Sequence, residues 1–341
     1  MLTEPAAPRH ILEVAFAFRR SKILLAAVEL GLFKTIGNDR CDAESISHRV
    51  GLHDRSARHF LNALVEADFL NCDGDSLYYN TAESIRFLDP SNSEYIGDAL
   101  YRLSTRVYGN WNGLSSALRT GQPQSGAFGK GGYGALYSDP TELEAFLRAM
   151  TGTSLLLARA LALTLPWDDY RSIVDIGTAE GCIPVQIAST HLHLTAVGFD
   201  LPEVENSFRR YVARNAQSVS DRVQFRSGDF FRDPLPSADV IVMSRVLHNW
   251  SIPVKQMLLK KAYAALSERG ALIVCEALLD DVRKGGRLEA LLASLHMLVE
   301  TADGGEATSV DYTGWLLDAG FRDVKIVHLG CVQSAIIATN T

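Results

Sequence analysis

The sequence predicts an α/β fold in two parts. A doubly wound parallel-sheet domain occupies residues 166–341, and a mostly helical domain containing a winged helix precedes it over residues 1–165. Three observations carry this. From residue 171 onward short apolar runs alternate with helical patterns, as in a parallel sheet with helices on both faces. The stretch Ile173-Val174-Asp175-Ile176-Gly177-Thr178-Ala179-Glu180-Gly181 reads as strand, glycine-bearing turn and helix start, the first crevice of such a sheet. Within residues 42–80, two helices with capping signals are followed by a hairpin signal. A length of 341 residues allows each part its own core.

Taken in order, residues 10–36 form an amphipathic helical stretch whose apolar surface covers more than one face (Ile11, Leu12, Val14, Phe16, Phe18, then Ile23, Leu24, Leu25, Val28). A helix apolar on two sides serves an interface as well as its own core, so a homodimer is expected. Asp42 caps a helix through Val50, Gly51 turns the chain, and Asp54 caps a second helix carrying Phe60, Leu61, Leu64, Val65 and Phe69. Asp73-Gly74-Asp75 closes a hairpin. The second helix offers Arg55, Arg58 and His59 against Asp54, Glu66 and Asp68, a balance that favours a dimerisation scaffold over a DNA reader. Residues 81–165 read as helical with a glycine-rich interruption at 121–134. Tyr101, Tyr108, Trp111, Phe128, Tyr133 and Tyr137 gather there and can line a small-molecule pocket, with Tyr108 and Trp111 the substrate-binding candidates. Arg102 and Arg106 offer charge for a substrate carboxylate, although arginines on such helices commonly face solvent.

In the second domain, Gly177 and Gly181 can take positive φ and let a ligand approach the backbone. Glu180 places an acid in the turn, which disfavours a pyrophosphate. The next strand ends at Asp200-Leu201, on the order of twenty residues beyond the turn, where an acid accepts ribose hydroxyls. A third strand ends in Gly228-Asp229-Phe230, whose acid can take an adenine amino group. A fourth, residues 238–245, runs through Ser244-Arg245 into Val246-Leu247-His248-Asn249-Trp250, and a fifth, residues 271–275, ends at Glu276. Helices are expected at 254–266, 287–299 and 310–319, with the loop Asp303-Gly304-Gly305-Glu306 and closing strands at 324–328 and 334–338. Acids at three successive strand ends, without a phosphate-binding cation, read as an S-adenosylmethionine site.

At these residues the chain resembles a known family. Roughly its last 190 residues are similar to the catalytic domain of the small-molecule O-methyltransferases that include the plant caffeate enzymes and a bacterial natural-product branch. Carrying the resemblance are Asp175 to Gly181, Phe199-Asp200-Leu201-Pro202, Gly228-Asp229-Phe230, Leu247-His248-Asn249-Trp250, Glu276 and Gly305-Glu306. Three places depart from the family pattern: Thr178-Ala179 where more glycine is usual, Asn249 where aspartate is usual, and Ser244-Arg245 where plant members carry a lysine and a tryptophan. The resemblance implies a Rossmann-like catalytic domain and a winged-helix dimerisation domain. It also implies S-adenosylmethionine bound by residues including Asp175, Gly177, Glu180, Gly181, Asp200, Leu201, Gly228, Asp229, Phe230, Ser244 and Arg245.

The chemistry expected is methyl transfer to a small phenolic or aromatic amino-acid-derived intermediate of secondary metabolism. A phenol of pKa ~10 is a poor nucleophile at neutral pH and gains from a base of pKa near ~7. His248 follows the fourth strand at the ligand-binding edge, and Glu276 at the same edge can accept the other N–H of its ring. The family arrangement adds Glu306 to this pair. Asn249 and His296 are expected to face the acceptor. His296 also permits an alternative, a His248/His296 metal site methylating the carbon beside a 2-oxo acid carbonyl, and a phenol can equally be methylated at its ortho carbon. A second class, a cofactor-binding regulatory or non-catalytic protein, is disfavoured because His248, Asp200 and Asp229 are all present.

The whole-chain properties exclude other classes. A net charge of -7 argues against nucleic acid, and there is neither an apolar run of membrane length nor a signal-peptide pattern. Five scattered cysteines, with Cys182 and Cys275 inside apolar runs, suggest a reducing compartment, so a cytoplasmic enzyme without membrane or nucleic-acid partners is expected.

Overall fold

A computed structural model describes residues 8–125, 132–283 and 285–340. The chain divides into two compact units that part between Tyr108 and Gly109. The boundary expected at 165/166 falls inside the second unit, which also contains the helix Pro140–Leu161.

The first unit begins with the helix Arg9–Glu29, which ends where Gly31 takes φ 67 and a short helix, Leu32–Ile36, follows. Its first half exposes Ile11 at 68% and Phe18 at 52%, whereas Leu25 and Ala27 are buried further along. Asp42 caps the helix Ala43–Val50 by accepting from the Ser45 amide at 2.8 Å. The cap of Asp54–Glu66 differs from expectation. His53 is the N-cap, its Nδ1 accepting from the Arg55 amide at 3.2 Å, and Asp54 is the first helical residue, where its charge still favours the helix N-terminus. β1 (Leu70–Cys72) and β2 (Tyr78–Asn80) form the hairpin, closed by Asp73, which accepts from the amides of Asp75 and Leu77. Helix, turn, helix and hairpin together are a winged helix, packed on Leu32, Phe33, Ile36, Ile46, Leu61, Leu64 and Leu70. Buried Asn80 ties its layers by donating to the carbonyls of Phe33 and Gly37.

The second unit is built on a seven-stranded sheet. Its strands are β3 (Ser172–Ile176), β4 (Thr195–Asp200), β5 (Val223–Ser227), β6 (Ala238–Ser244), β7 (Leu266–Ala277), β8 (Asp323–His328) and β9 (Gln333–Thr339), in the order β5-β4-β3-β6-β7-β9-β8. The first five are parallel, and β9 runs antiparallel between β7 and β8. Successive strand residues alternate between two cores, as the pleat requires. Ile173, Val240, Val242, Ile273 and Cys275 pack on one face with Trp167, Ile187 and Phe208. Val174, Ile176, Ile241, Met243, Leu272 and Val274 pack on the other with Leu258, Leu259, Tyr312 and Leu316. β7 starts earlier than expected. Gly270 lies where a Cβ would come 2.8 Å from the Asp239 carbonyl oxygen, so the chain continues as strand through it beside a register shift at Ala238/Val240. No described helix is long and apolar enough to cross a membrane. Cys182 and Cys275 are buried free thiols.

Candidate active site

The carboxyl ends of β3 to β7 share one edge of the sheet. The strand order reverses between β3 and β6, and a doubly wound sheet opens its crevice at such a point. The turn after β3 uses left-handed backbone at Gly177 (φ 70) and Gly181 (φ 89), and a Cβ at Gly177 would come 2.9 Å from Val246 Cγ2. Ala179 is also left-handed, at φ 52, a conformation costing a non-glycine residue on the order of 1 kcal/mol. Its amide is held by Asp200 Oδ2 at 3.0 Å.

Asp200, at the end of β4, is buried, with Oδ1 accepting from the Leu201 amide at 2.8 Å and Tyr137 adding a side-chain hydrogen bond. Burial raises its pKa to about 6, against the lowering by those donors. Asp175 braces the turn from below, accepting from Thr178 Oγ1 at 2.8 Å, and burial raises it to about 7. Glu180 accepts from Thr151 Oγ1 at 2.7 Å. After β5, Asp229 accepts from the Phe231 amide, and Asp233 in turn accepts from the Asp229 amide, each at 2.8 Å. Phe230 and Phe231 meet Trp250 edge-on at 6.1 and 4.8 Å between centroids. At the end of β6 the buried Ser244 hydroxyl has no hydrogen-bond partner. Arg245 takes φ 53 and sends its guanidinium to Thr153 Oγ1 at 2.6 Å, to the Met150 carbonyl and to the Ser154 hydroxyl. This donor set fits S-adenosylmethionine: carboxylates at two strand ends for hydroxyls and an amino group, an unpartnered hydroxyl, and a glycine turn that a Cβ would fill.

The second cluster lies at β6 and β7. His248 sits on the 3-10 turn Leu247–Asn249, its side chain 13% exposed. Glu276 Oε1 fixes this turn by accepting from the amides of Leu247 at 2.9 Å and His248 at 3.2 Å. The imidazole Nδ1 lies 2.9 Å from Glu306 Oε1 and 3.3 Å from Glu276 Oε2. Two acceptors facing one nitrogen put the ring proton on Nδ1 and leave Nε2 with the basic lone pair. Burial pushes His248 below its ordinary value, while it raises Glu276 to about 7 and Glu306 to about 8. The group therefore titrates as a unit. Glu306, contributed by the loop before Ser309–Ala319, is the nearer carboxylate, and its amide faces Ser294 Oγ at 3.3 Å.

Other expected residues stand elsewhere. Asn249 spends its amide on the carbonyls of Arg245 and Val246. His296 stacks on Trp111 with centroids 6.4 Å apart, and its Nδ1 accepts from Trp111 Nε1 at 3.4 Å. Among the described residues the histidine and carboxylates whose ligand atoms lie within 4.8 Å of one another are His248, Glu276 and Glu306, without His296. Tyr108 belongs to the first unit, with Lys22 Nζ 5.5 Å from its ring centroid. Phe128 and the Tyr133 side chain lie outside the described residues. Sequence reasoning missed Tyr137 as a partner of Asp200, Ser294 as a partner of the Glu306 amide, and buried Lys255. None carries a motif, since each acts through a contact distant in the chain.

Four buried carboxyl groups, Asp175, Asp200, Glu276 and Glu306, hold protons to about 7, 6, 7 and 8. Each folded value is raised above the unfolded one. Their contribution to stability is therefore complete below about pH 4 and is lost as pH rises through 6 to 8. His248 is shifted the opposite way, and its effect is confined to lower pH. The cofactor-free protein should show a falling calorimetric midpoint from pH 6.5 to 8.5, and a rising midpoint over that interval contradicts the assignment.

A sheet of this order, with acids at the ends of β4 and β5 and a histidine after β6, defines an S-adenosylmethionine-dependent methyltransferase. Residues 111–322 match the O-methyltransferase domain and residues 12–90 the O-methyltransferase dimerisation domain, so the chain belongs to this O-methyltransferase family. It is 36% identical to the tetracenomycin polyketide synthesis 8-O-methyltransferase of Streptomyces glaucescens, covering 95% of this chain and 94% of that one. It is 33% identical to an N,N-dimethyltransferase of Streptomyces rimosus, covering 94% of each. Among solved structures, human N-acetylserotonin methyltransferase in complex with S-adenosylmethionine superposes with a TM-score of 0.89 at 28% identity, covering 99% of each chain. The apolar first half of Arg9–Glu29 runs into the dimerisation domain.

Proposed function

We propose that this enzyme methylates the phenolic oxygen of a small aromatic natural-product intermediate, with His248 as the base. The observation that carries this reading is the pair of carboxyl oxygens facing Nδ1, which leaves Nε2 to take a proton. The cofactor supplies a methyl group on a positively charged sulfur, an electrophile that needs no activation. Asp200 is assigned to the ribose hydroxyls, Asp229 and Phe230 to the adenine, and the turn from Gly177 to Gly181, with Ser244 and Arg245, to the amino-acid end. The acceptor O–H donates to Nε2, the proton moves onto the ring, and the imidazolium is stabilised by Glu306 and Glu276 across Nδ1. General-base assistance of this kind contributes ~10²–10⁴-fold.

The substrate class is supported by relatives acting on a polyketide and on an acetylserotonin. Carbon methylation through a His248/His296 metal pair has less support. The Nδ1 of His296 accepts an indole N–H, so its neutral ring carries the proton on Nε2 and offers no free lone pair. Five free cysteines fit a reducing, cytoplasmic setting.

The test is incubation with labelled cofactor and a panel of phenols, hydroxylated aromatic amino acids and aromatic 2-oxo acids. An aryl methyl ether formed equally well in the presence of chelator is the expected product. A C-methyl product, or activity abolished by chelator, contradicts the reading.

A further inference from the structure

The loop after β5 carries the two residues assigned to the adenine, Asp229 and Phe230, and a cation from a distant helix holds it. Lys261 stands towards the end of the helix Ile252–Ala265. Leu258 before it and Ala265 after it are buried, so its stem borders the core face of the helix and its ammonium reaches past that edge. Nζ donates to the Phe230 carbonyl at 2.5 Å and to the Asp233 carbonyl at 2.6 Å. Charged donors make the stronger kind of hydrogen bond.

The loop's own bonds show what this clip completes. The amides of Arg232 and Asp233 donate to the Asp229 carbonyl at 3.0 and 2.7 Å. The Asp229 amide donates to Asp233 Oδ2, and the Phe231 amide to Asp229 Oδ1, each at 2.8 Å. Asp229 is thereby aimed by its main chain and by one carboxylate oxygen, and Oδ2 has Arg232 Nε at 3.5 Å. The carbonyls of Phe230 and Asp233 are turned to the Lys261 ammonium instead.

The near end of the loop is fixed without Lys261. The Gly228 amide donates to the Asp200 carbonyl at 2.9 Å, and a Cβ on Gly228 would come 2.5 Å from the Phe199 ring. At the far end Phe231 is 42% exposed, and the loop is held by ring contacts to Trp250 and by Lys261. Trp250 lies just before the same helix, so that one helix meets the loop at two places.

We propose that Lys261 is a positioning residue for the cofactor: its ammonium clips residues 229–233 to the helix Ile252–Ala265 and so sets where the Asp229 carboxylate meets the adenine amino group. This rests on the assignment of Asp229 to the adenine. Lys261 acts on the main chain of the loop and does not itself touch the cofactor. Without the ammonium, two carbonyls turn to water and Asp229 loses half of its frame. Binding then weakens through the adenine alone, because the ribose and the amino-acid end are assigned to Asp200 and to the turn from Gly177 to Gly181.

The experiment is titration calorimetry of wild type, Lys261→Met, Lys261→Gln and Lys261→Arg with two ligands. One is S-adenosylhomocysteine; the other is S-inosylhomocysteine, in which a ring carbonyl oxygen replaces the adenine amino group. Wild type should prefer the adenosyl ligand by ~30-fold, because the carboxylate faces a donor in one and an acceptor in the other. In Lys261→Met the adenosyl ligand should bind ~10-fold more weakly, while the inosyl ligand changes by less than about threefold. Lys261→Arg, which keeps the charge and the donors, should restore the preference. Lys261→Gln keeps one N–H donor without the charge, and its narrowed preference decides the matter if Lys261→Met fails to fold. An equal fall in affinity for both ligands, or an unchanged preference, overturns the role of Lys261 alone. Equal binding of the two ligands by wild type overturns the adenine assignment of Asp229, and the positioning role with it.

Discussion

His248→Ala lowers turnover by ~10²–10⁴-fold at neutral pH while cofactor affinity stays within about threefold. The loss falls on turnover because the ring's one assigned task is to take the acceptor's proton. Cofactor affinity is spared because the strand-end acids and the glycine turn are assigned that binding, and the Asp200 side chain is held by the Ala179 and Leu201 amides rather than by His248. The two carboxylates should not be equivalent. Glu306 is the nearer to Nδ1, and Glu306→Gln places an amide there that can donate as readily as accept. In Glu276→Gln the retained carbonyl can still accept from the Leu247 and His248 amides, so that change should cost less. Steady-state kinetics with cofactor titrations measures all three. A Glu276→Gln enzyme slower than Glu306→Gln contradicts this ordering.

Asp200→Asn weakens S-adenosylmethionine binding by ~30–1000-fold. Each carboxylate oxygen already accepts one backbone amide, from Ala179 or Leu201, and with one further bond from Tyr137 a lone pair remains for a ribose hydroxyl. Hydrogen bonds to a charged acceptor contribute ~1.5–3 kcal/mol each. The amide of asparagine turns one of these acceptors into a donor aimed at a backbone N–H, and so also releases the left-handed turn at Ala179. Titration calorimetry reads the affinity directly. A variant binding within about threefold of wild type removes Asp200 from the cofactor site.

Both predictions stand on residues that the sequence already marked, for a physical reason. Strand-end acids and the turn after β3 are local features: an apolar run, then a glycine or an acid, at fixed positions along the chain. The winged helix was legible in the same way, through Asp42, Gly51 and Asp73-Gly74-Asp75. Details that depend on distant contacts were not. His53 displaced Asp54 as a cap because a ring nitrogen reached the Arg55 amide. β9 entered the sheet antiparallel between β7 and β8, an order that its apolar residues alone do not specify. Glu306 stands 58 residues from His248 and outranks Glu276 in proximity, which no spacing rule conveys. Lys255 reads as an ordinary solvent-facing lysine until the fold buries it and its Nζ donates to the Gly305 carbonyl.

The central claim is that Nε2 of His248 removes the proton of a phenol, and single-turnover rates of His248→Ala against pH test it most directly. If the ring supplies only deprotonation, the variant should regain most of the wild-type rate as pH approaches the acceptor's own pKa of ~10, where solution delivers the phenolate. The ratio of wild-type to variant rates should fall by about tenfold per pH unit on the way. A ratio that stays constant from pH 7 to pH 10 would show that His248 serves the transfer in another way, and would contradict the account.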